Sequence, residues 1–258
     1  MDSSFPKWVA TNPFTSHVLV PVLISLLLIG LYFSRISFLQ HIIAPSIEGV
    51  EPFSQREFGA VELLQNLVLL WIFYYTVRCF LAAKDWPIRL FCILVAGAVL
   101  FQFLEEIDYG APFLNLLTDQ KQAVLPVDWG RNLHNKILDD GEQFGGYLKL
   151  TARIIIVLGF LLAPLLKNRI PWPKVRLLIP SRWVIATVMS SYVLSRLAHW
   201  LDDTGVGIID GVQGNLYLNI SEFSELGLYY LFLLYITTLS GRIDSSQDPD
   251  QEKQHSEG

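Results

Sequence analysis

Six stretches of this chain run for about twenty residues with few or no charges, and that length decides most of what the chain can become. At ~1.5 Å of rise per residue, a helix of ~20 residues matches the ~30 Å of hydrocarbon in a bilayer. Within lipid the backbone has to satisfy its own hydrogen bonds, which leaves helices or closed barrels, and runs this long and uniformly apolar are helices. Composition agrees: 52% of the 258 residues are hydrophobic and 17% are charged, against roughly 25% charged in soluble domains. The expected fold is therefore all-α, a polytopic transmembrane bundle with spans at about 17–39, 58–82, 86–107, 147–167, 178–200 and 221–241.

The first run is too long for the core of a signal peptide, follows only one cation, Lys7, and lacks a small-x-small cleavage pattern, so it reads as a retained helix behind a short segment 1–16. Lysine and arginine of short loops stay on the cytoplasmic side. Arg78, Lys84 and Arg89 surround the second connection, and Lys167, Arg169, Lys174, Arg176 and Arg182 surround the fourth. Both connections are assigned inside, which puts both termini in the cytoplasm and leaves 40–57, 108–146 and 201–220 outside. The connection 108–146 is longer than a bare loop usually is, and Pro112 to Gln122 within it reads as a short interfacial helix. The tail 242–258 is almost wholly polar and cannot bury a core.

Other classes fall away. The net charge is −5 and no basic stripe follows a phosphate backbone, which excludes a nucleic-acid partner. The two cysteines, Cys79 and Cys92, lie inside apolar runs and do not form a disulfide framework. Neither HExxH nor GxSxG occurs. Gly205 to Gly211 is too irregular for a phosphate loop and reads as a turn, and the many aromatic residues, Trp71, Tyr74, Tyr75 and Tyr229 among them, read as packing or lipid contact. His17 and His41 read as interfacial.

With this topology the acids collect at one level. Glu57 and Glu62 open the second span, Glu105, Glu106 and Asp108 close the third, His199, Asp202 and Asp203 close the fifth, and Glu222 and Glu225 open the sixth. The helix dipole favours acids in a first turn, which accounts for Glu57 and Glu222. It disfavours Glu105 and Glu106 at a C-terminal end, so that doublet calls for another explanation. Glu222 and Glu225, at i and i+3, share a helix face, as do His199 and Asp202. Closely packed carboxylates cannot all stay ionised without a counter-charge, so such a group shares protons, recruits a basic residue or binds a cation. His134, beside Asn132 and Asn135 in the long outer connection, is a candidate nitrogen ligand or proton-transfer group.

The run Phe103-Leu104-Glu105-Glu106-Ile107-Asp108-Tyr109-Gly110, followed by Asn132-Leu133-His134-Asn135, resembles a family of uncharacterised bacterial polytopic inner-membrane proteins. Those proteins carry Glu-Glu-Ile-Ser-Trp-Gly-Gln, then Asn-x-His-Asn, with an acidic pair opening an early helix and another opening the last. Arg56 to Glu62 and Ser221 to Glu225 resemble the two pairs, while Asp108-Tyr109 stands for Ser-Trp and Ala111 for the glutamine. The resemblance spans about 55–230 and implies which residues matter rather than a reaction.

Three functions fit this pattern. One is a metal-assisted hydrolase or transferase acting on a lipid or lipid-linked substrate at the outer face. Its catalytic residues would be Glu105, Glu106 and His134, its divalent metal ligands would come from Glu62, Glu105, Glu106, His134, Glu222 and Glu225, and Glu57, Asp108, Asn132, Asn135, His199 and Asp202 would support them. The second is a proton- or cation-coupled transporter. The third is a membrane scaffold or assembly protein without catalysis, whose acids cap helices.

Overall fold

The computed structural model describes residues 12–45, 58–107, 110, 150, 154–206 and 220–245, and every regular element among them is helical. In chain order the helices are α1 (Thr15–Tyr32), α2 (Ser37–Ile43), α3 (Ala60–Ala82), α4 (Trp86–Glu106), α5 (154–166), α6 (Pro173–Leu178), α7 (Trp183–Asp203) and α8 (Glu222–Ser245). Five segments are long and apolar enough to cross a membrane: Thr15–Tyr32, Ala60–Ala82, Trp86–Glu106, Pro173–Asp203 and Glu222–Asp244. The molecule is an all-α polytopic helical bundle. The expected span at 147–167 is described mainly over 154–166, where Val157–Leu162 has π geometry. The long connection, the helix expected at 112–122 and the C-terminal tail beyond 245 lie outside the described residues.

Helix ends differ from the sequence expectation where polar residues interrupt an apolar run. The first helix stops at Tyr32 rather than about Leu39, because Arg35 takes a left-handed conformation (φ 59°) and Ser34 Oγ donates to Leu31 O while accepting from Ile36 N. A hydroxyl offering the backbone these bonds competes with the helix. At the other end Asn12 Oδ1 accepts from Thr15 N, the bond of an N-cap residue. The fifth expected span begins at Trp183 rather than 178, since Pro180 holds the preceding Ile179 extended (ψ 128°). It runs on to Asp203 and closes with Gly205 at φ 64°, Gly205 N bonding Asp202 O and Val206 N bonding Leu201 O, the paired bonds of a Schellman motif.

α8 is the central helix, packed against α3, α7 and α1, whereas α4 lies at the edge with α3 as its main neighbour. Large apolar side chains such as Leu94, Phe101, Trp71, Tyr74 and Leu81 are exposed on the outside of the bundle, as expected where the surroundings are lipid. Packing rather than hydrophobic exclusion then joins the helices, and small residues allow the closest approach. Gly227 of α8 is such a point: a Cβ there would lie 2.6 Å from Ser191 Oγ and 2.8 Å from its Cβ. Near the start of α1, π geometry at Thr15–Leu19 changes the hydrogen-bond register, and two of its carbonyls are taken by neighbouring helices. Tyr230 donates to Ser16 O (2.7 Å) and Thr187 to His17 O (2.9 Å). Thr187 Oγ1 thereby accepts from His17 Nδ1 at 3.0 Å, so His17 is a buried interhelical residue rather than an interfacial one. His41 bonds Ser37 O within α2.

The two ends of the bundle are chemically opposite. At one end Arg242 donates to Leu177 O and Ile179 O, Lys167 to Ile179 O, and Tyr235 to Leu178 O, so basic and aromatic side chains secure the 170–182 connection. Burial, with Arg242 and Arg176 nearby, pushes the Lys167 ammonium below its usual range. Arg78 pairs with Asp244 at 3.6 Å and Lys174 with Asp85 at 2.7 Å. At the other end the carboxylates gather.

Candidate functional site

Three helices meet at that end: the first turn of α3 brings Glu62, the last residue of α4 is Glu106, and the first residue of α8 is Glu222. One carboxylate oxygen from each lies within 4.8 Å of the other two. Glu62 and Glu222 are each only 2% exposed, and Glu106, at 9%, sits at the border of burial. The neighbours orient the group. Gln65, one turn below Glu62 on α3, donates to both the backbone carbonyl and Oε2 of Glu222, each at 3.0 Å. Gln102, one turn before Glu106, donates to Glu106 Oε1 at 2.6 Å, and Tyr229 of α8 donates to the same oxygen at 2.5 Å. Two donors on one oxygen anchor that side of the Glu106 carboxylate.

The site is recessed. Gly227, against Ser191, is five residues into α8 from Glu222, while Ser191 is twelve residues from the end of α7. With ~1.5 Å of rise per residue and aligned axes, α7 runs about 10 Å past the level of Glu222. Ser16, bonded to Tyr230, places the end of α1 at Tyr32 about as far beyond, again at ~1.5 Å per residue. α2 folds back at this end, and Ile43 and Ala44 join a core with Leu28, Val61, Ala198 and Phe223. The carboxylates therefore lie below a rim formed by α1 and α7.

Such placement has a large electrostatic cost. Two unit charges 4 Å apart repel by about 4 kcal/mol at an effective dielectric constant of 20, so three ionised carboxylates in this space require positive charge or shared protons. A set of carboxylate oxygens drawn from separate helices has the donor chemistry of a hard divalent cation such as magnesium, manganese or calcium.

The remaining candidate residues divide by position. Glu105 is buried, 2% exposed, next to the trio but not part of it. Glu225 is half-buried one turn below Glu222, and both Glu105 and Glu225 make interactions of their own. His199 and Asp202 are half-buried on the last turns of α7, outside the trio. Glu57, Asp108, Asn132, His134 and Asn135 lie outside the described residues. Gln65, Gln102 and Tyr229 were not candidates from sequence, although Gln65 and Gln102 stand at helical spacing from an acid inside an apolar run, the signal that would have found them. Comparison of the chain with protein-family models, with curated proteins and with solved structures finds no match in any of the three.

Proposed function

We propose that this integral membrane protein lies in a bacterial inner membrane with both termini in the cytoplasm. In this reading it holds a divalent metal ion at Glu62, Glu106 and Glu222 near the non-cytoplasmic face, and uses it to hydrolyse or transfer a group on a lipid or lipid-linked substrate. The observation that carries the reading is the convergence of three carboxylate oxygens within 4.8 Å from three helices, with Glu106 and Glu222 each oriented by further side chains. Oxygen ligands suit a hard cation, and such an ion polarises a phosphoryl or carbonyl oxygen and acidifies bound water. The basic residues at the opposite end support the orientation. Position favours chemistry over passage: beyond Glu225 no further carboxylate among the described spans lies between the trio and the basic end, leaving no second acid along an alternating-access path. His134, outside the described residues, remains the candidate for proton transfer.

The test is metal analysis of detergent-purified protein, wild type against Glu62→Gln, Glu106→Gln and Glu222→Gln, followed by mass spectrometry of products from a panel of phospholipids and polyprenyl-phosphate-linked substrates. Near-stoichiometric metal in the wild type alone, with metal-dependent product release, is the expected result. Negligible metal in all four proteins removes the metal reading. Stoichiometric metal without product from any substrate removes the enzymatic one.

A further inference from the structure

One neutral polar group left over at the carboxylate centre is the oxygen of Gln65. Gln65 is fully buried, with 0% exposure, and its Oε1 has no hydrogen-bond partner. A buried acceptor left unsatisfied costs about 1–3 kcal/mol, so its persistence calls for a reason. Rotating the amide by half a turn does not remove the problem. The nitrogen donates to two acceptors of Glu222, its backbone carbonyl and Oε2, and the exchange would set the amide oxygen against both. The chemistry of Glu222 thus decides which end of the amide is oxygen. That oxygen shares its carbon with a nitrogen already bonded to a member of the trio, and Gln65, three residues after Glu62, stands on the same face of α3.

We propose that Gln65 Oε1 is the fourth oxygen ligand of the cation held by Glu62, Glu106 and Glu222, making an all-oxygen site selective for a hard divalent cation over zinc or copper. The inference rests on the metal reading above and adds the donor that reading lacks. A neutral oxygen suits the position. Three carboxylates already exceed the charge of a divalent ion, and an amide adds a coordinate bond without further repulsion, as side-chain amide oxygens do in calcium sites. In this arrangement Gln65 has two tasks, orienting Glu222 through nitrogen and binding the ion through oxygen.

The experiment separates those tasks with Mn2+ as probe, titrated into full-length protein in detergent and followed by electron paramagnetic resonance. Gln65→Leu and Gln65→Met remove both functions of the amide, while Gln65→Glu removes the two donated bonds and keeps an oxygen. The expected result is a loss of affinity in the Leu and Met variants greater than the ~10–100-fold that removal of an orienting partner alone costs, with the Glu variant, which keeps an oxygen, retaining more affinity than either. In the wild type, 13C-glutamine labelling should show an amide carbonyl band shifting on addition of Mn2+, a readout that needs no variant to fold. Zn2+ should compete poorly. Equal loss in the Glu and Leu variants, or no carbonyl shift in a wild type that binds Mn2+, would overturn the ligand role and leave Gln65 as an orienting residue. A wild type that binds no Mn2+ would instead remove the metal reading itself.

Discussion

Tyr229 on α8 donates its hydroxyl to Glu106 Oε1 on α4 across 2.5 Å, joining two helices whose backbones have few direct contacts. α4 packs mainly on α3, and most of its apolar middle is exposed. Its two most C-terminal residues, Glu105 and Glu106, are nevertheless buried. The edge helix is therefore held at the site end by polar contacts, and the same contacts set the position of one carboxylate of the trio.

Tyr229→Phe tests this directly, since it removes one oxygen and keeps the ring. A hydrogen bond of this kind contributes about 1–3 kcal/mol when its loss leaves a buried group unsatisfied. A lower thermal midpoint in detergent is expected. Gln102 donates to the same oxygen, so Tyr229→Phe and Gln102→Leu should be non-additive, with a coupling of about 0.5–3 kcal/mol in a double-mutant cycle. Strict additivity would show that the two donors do not act on one carboxylate.

Gly227→Ala probes the central packing. Its new Cβ would meet Ser191 Oγ at 2.6 Å and Ser191 Cβ at 2.8 Å, and the second atom cannot rotate away. α7 and α8 must separate, at a cost of about 1–3 kcal/mol for overpacking. Ser191→Gly in the same chain should restore most of the loss, whereas Ser191→Ala, which keeps the Cβ, should not. Equal rescue by both would mean that the hydroxyl alone makes the contact.

The sequence was most informative where one dimension suffices. Apolar length located the bundle, and the acids at the starts of α3 and α8 and at the end of α4 could be read as one level because antiparallel neighbours bring alternate ends together. Selection within that level depended on helix rotation, which apolar residues on nearly every side of α4 and α8 do not specify. Glu222, a metal-ligand candidate that helix capping would also explain, belongs to the trio, while Glu105, the less easily explained neighbour of Glu106, does not. His17 looked interfacial because its burial depends on α7 lying beside the first turn of α1. The break at Arg35 was also obscured: a single left-handed residue in an apolar run leaves little trace in composition.

The polarity of the bundle gives a topological prediction. α8 starts at the carboxylate end and finishes where Arg242 bonds the 170–182 connection, so the tail after Ser245 should emerge on the basic side. α4 runs the other way and delivers the connection after Glu106 to the carboxylate side. Reporter tags in 108–146 and at the C-terminus should fall on opposite faces, with the C-terminal one cytoplasmic. Tags on the same face would overturn the arrangement of spans.

Metal removal should be visible as stability. A ligand that binds only the folded state contributes RT ln(1 + [L]/Kd), about 2.7 kcal/mol at a hundredfold excess over Kd. Because Glu62, Glu106 and Glu222 come from three helices, a cation there links α3, α4 and α8 and favours the folded arrangement over any in which the edge helix detaches. The thermal midpoint of the wild type should rise with Mn2+ or Ca2+ concentration and fall with chelator, and the dependence should vanish in a Glu62→Gln/Glu222→Gln double variant. Limited proteolysis near Glu106 should show the same order, with slower cleavage in the metal-loaded protein, since α4 packs mainly on α3 and leans little on the rest of the bundle. If chelator changes neither midpoint nor cleavage, shared protons rather than a cation hold the three carboxylates together.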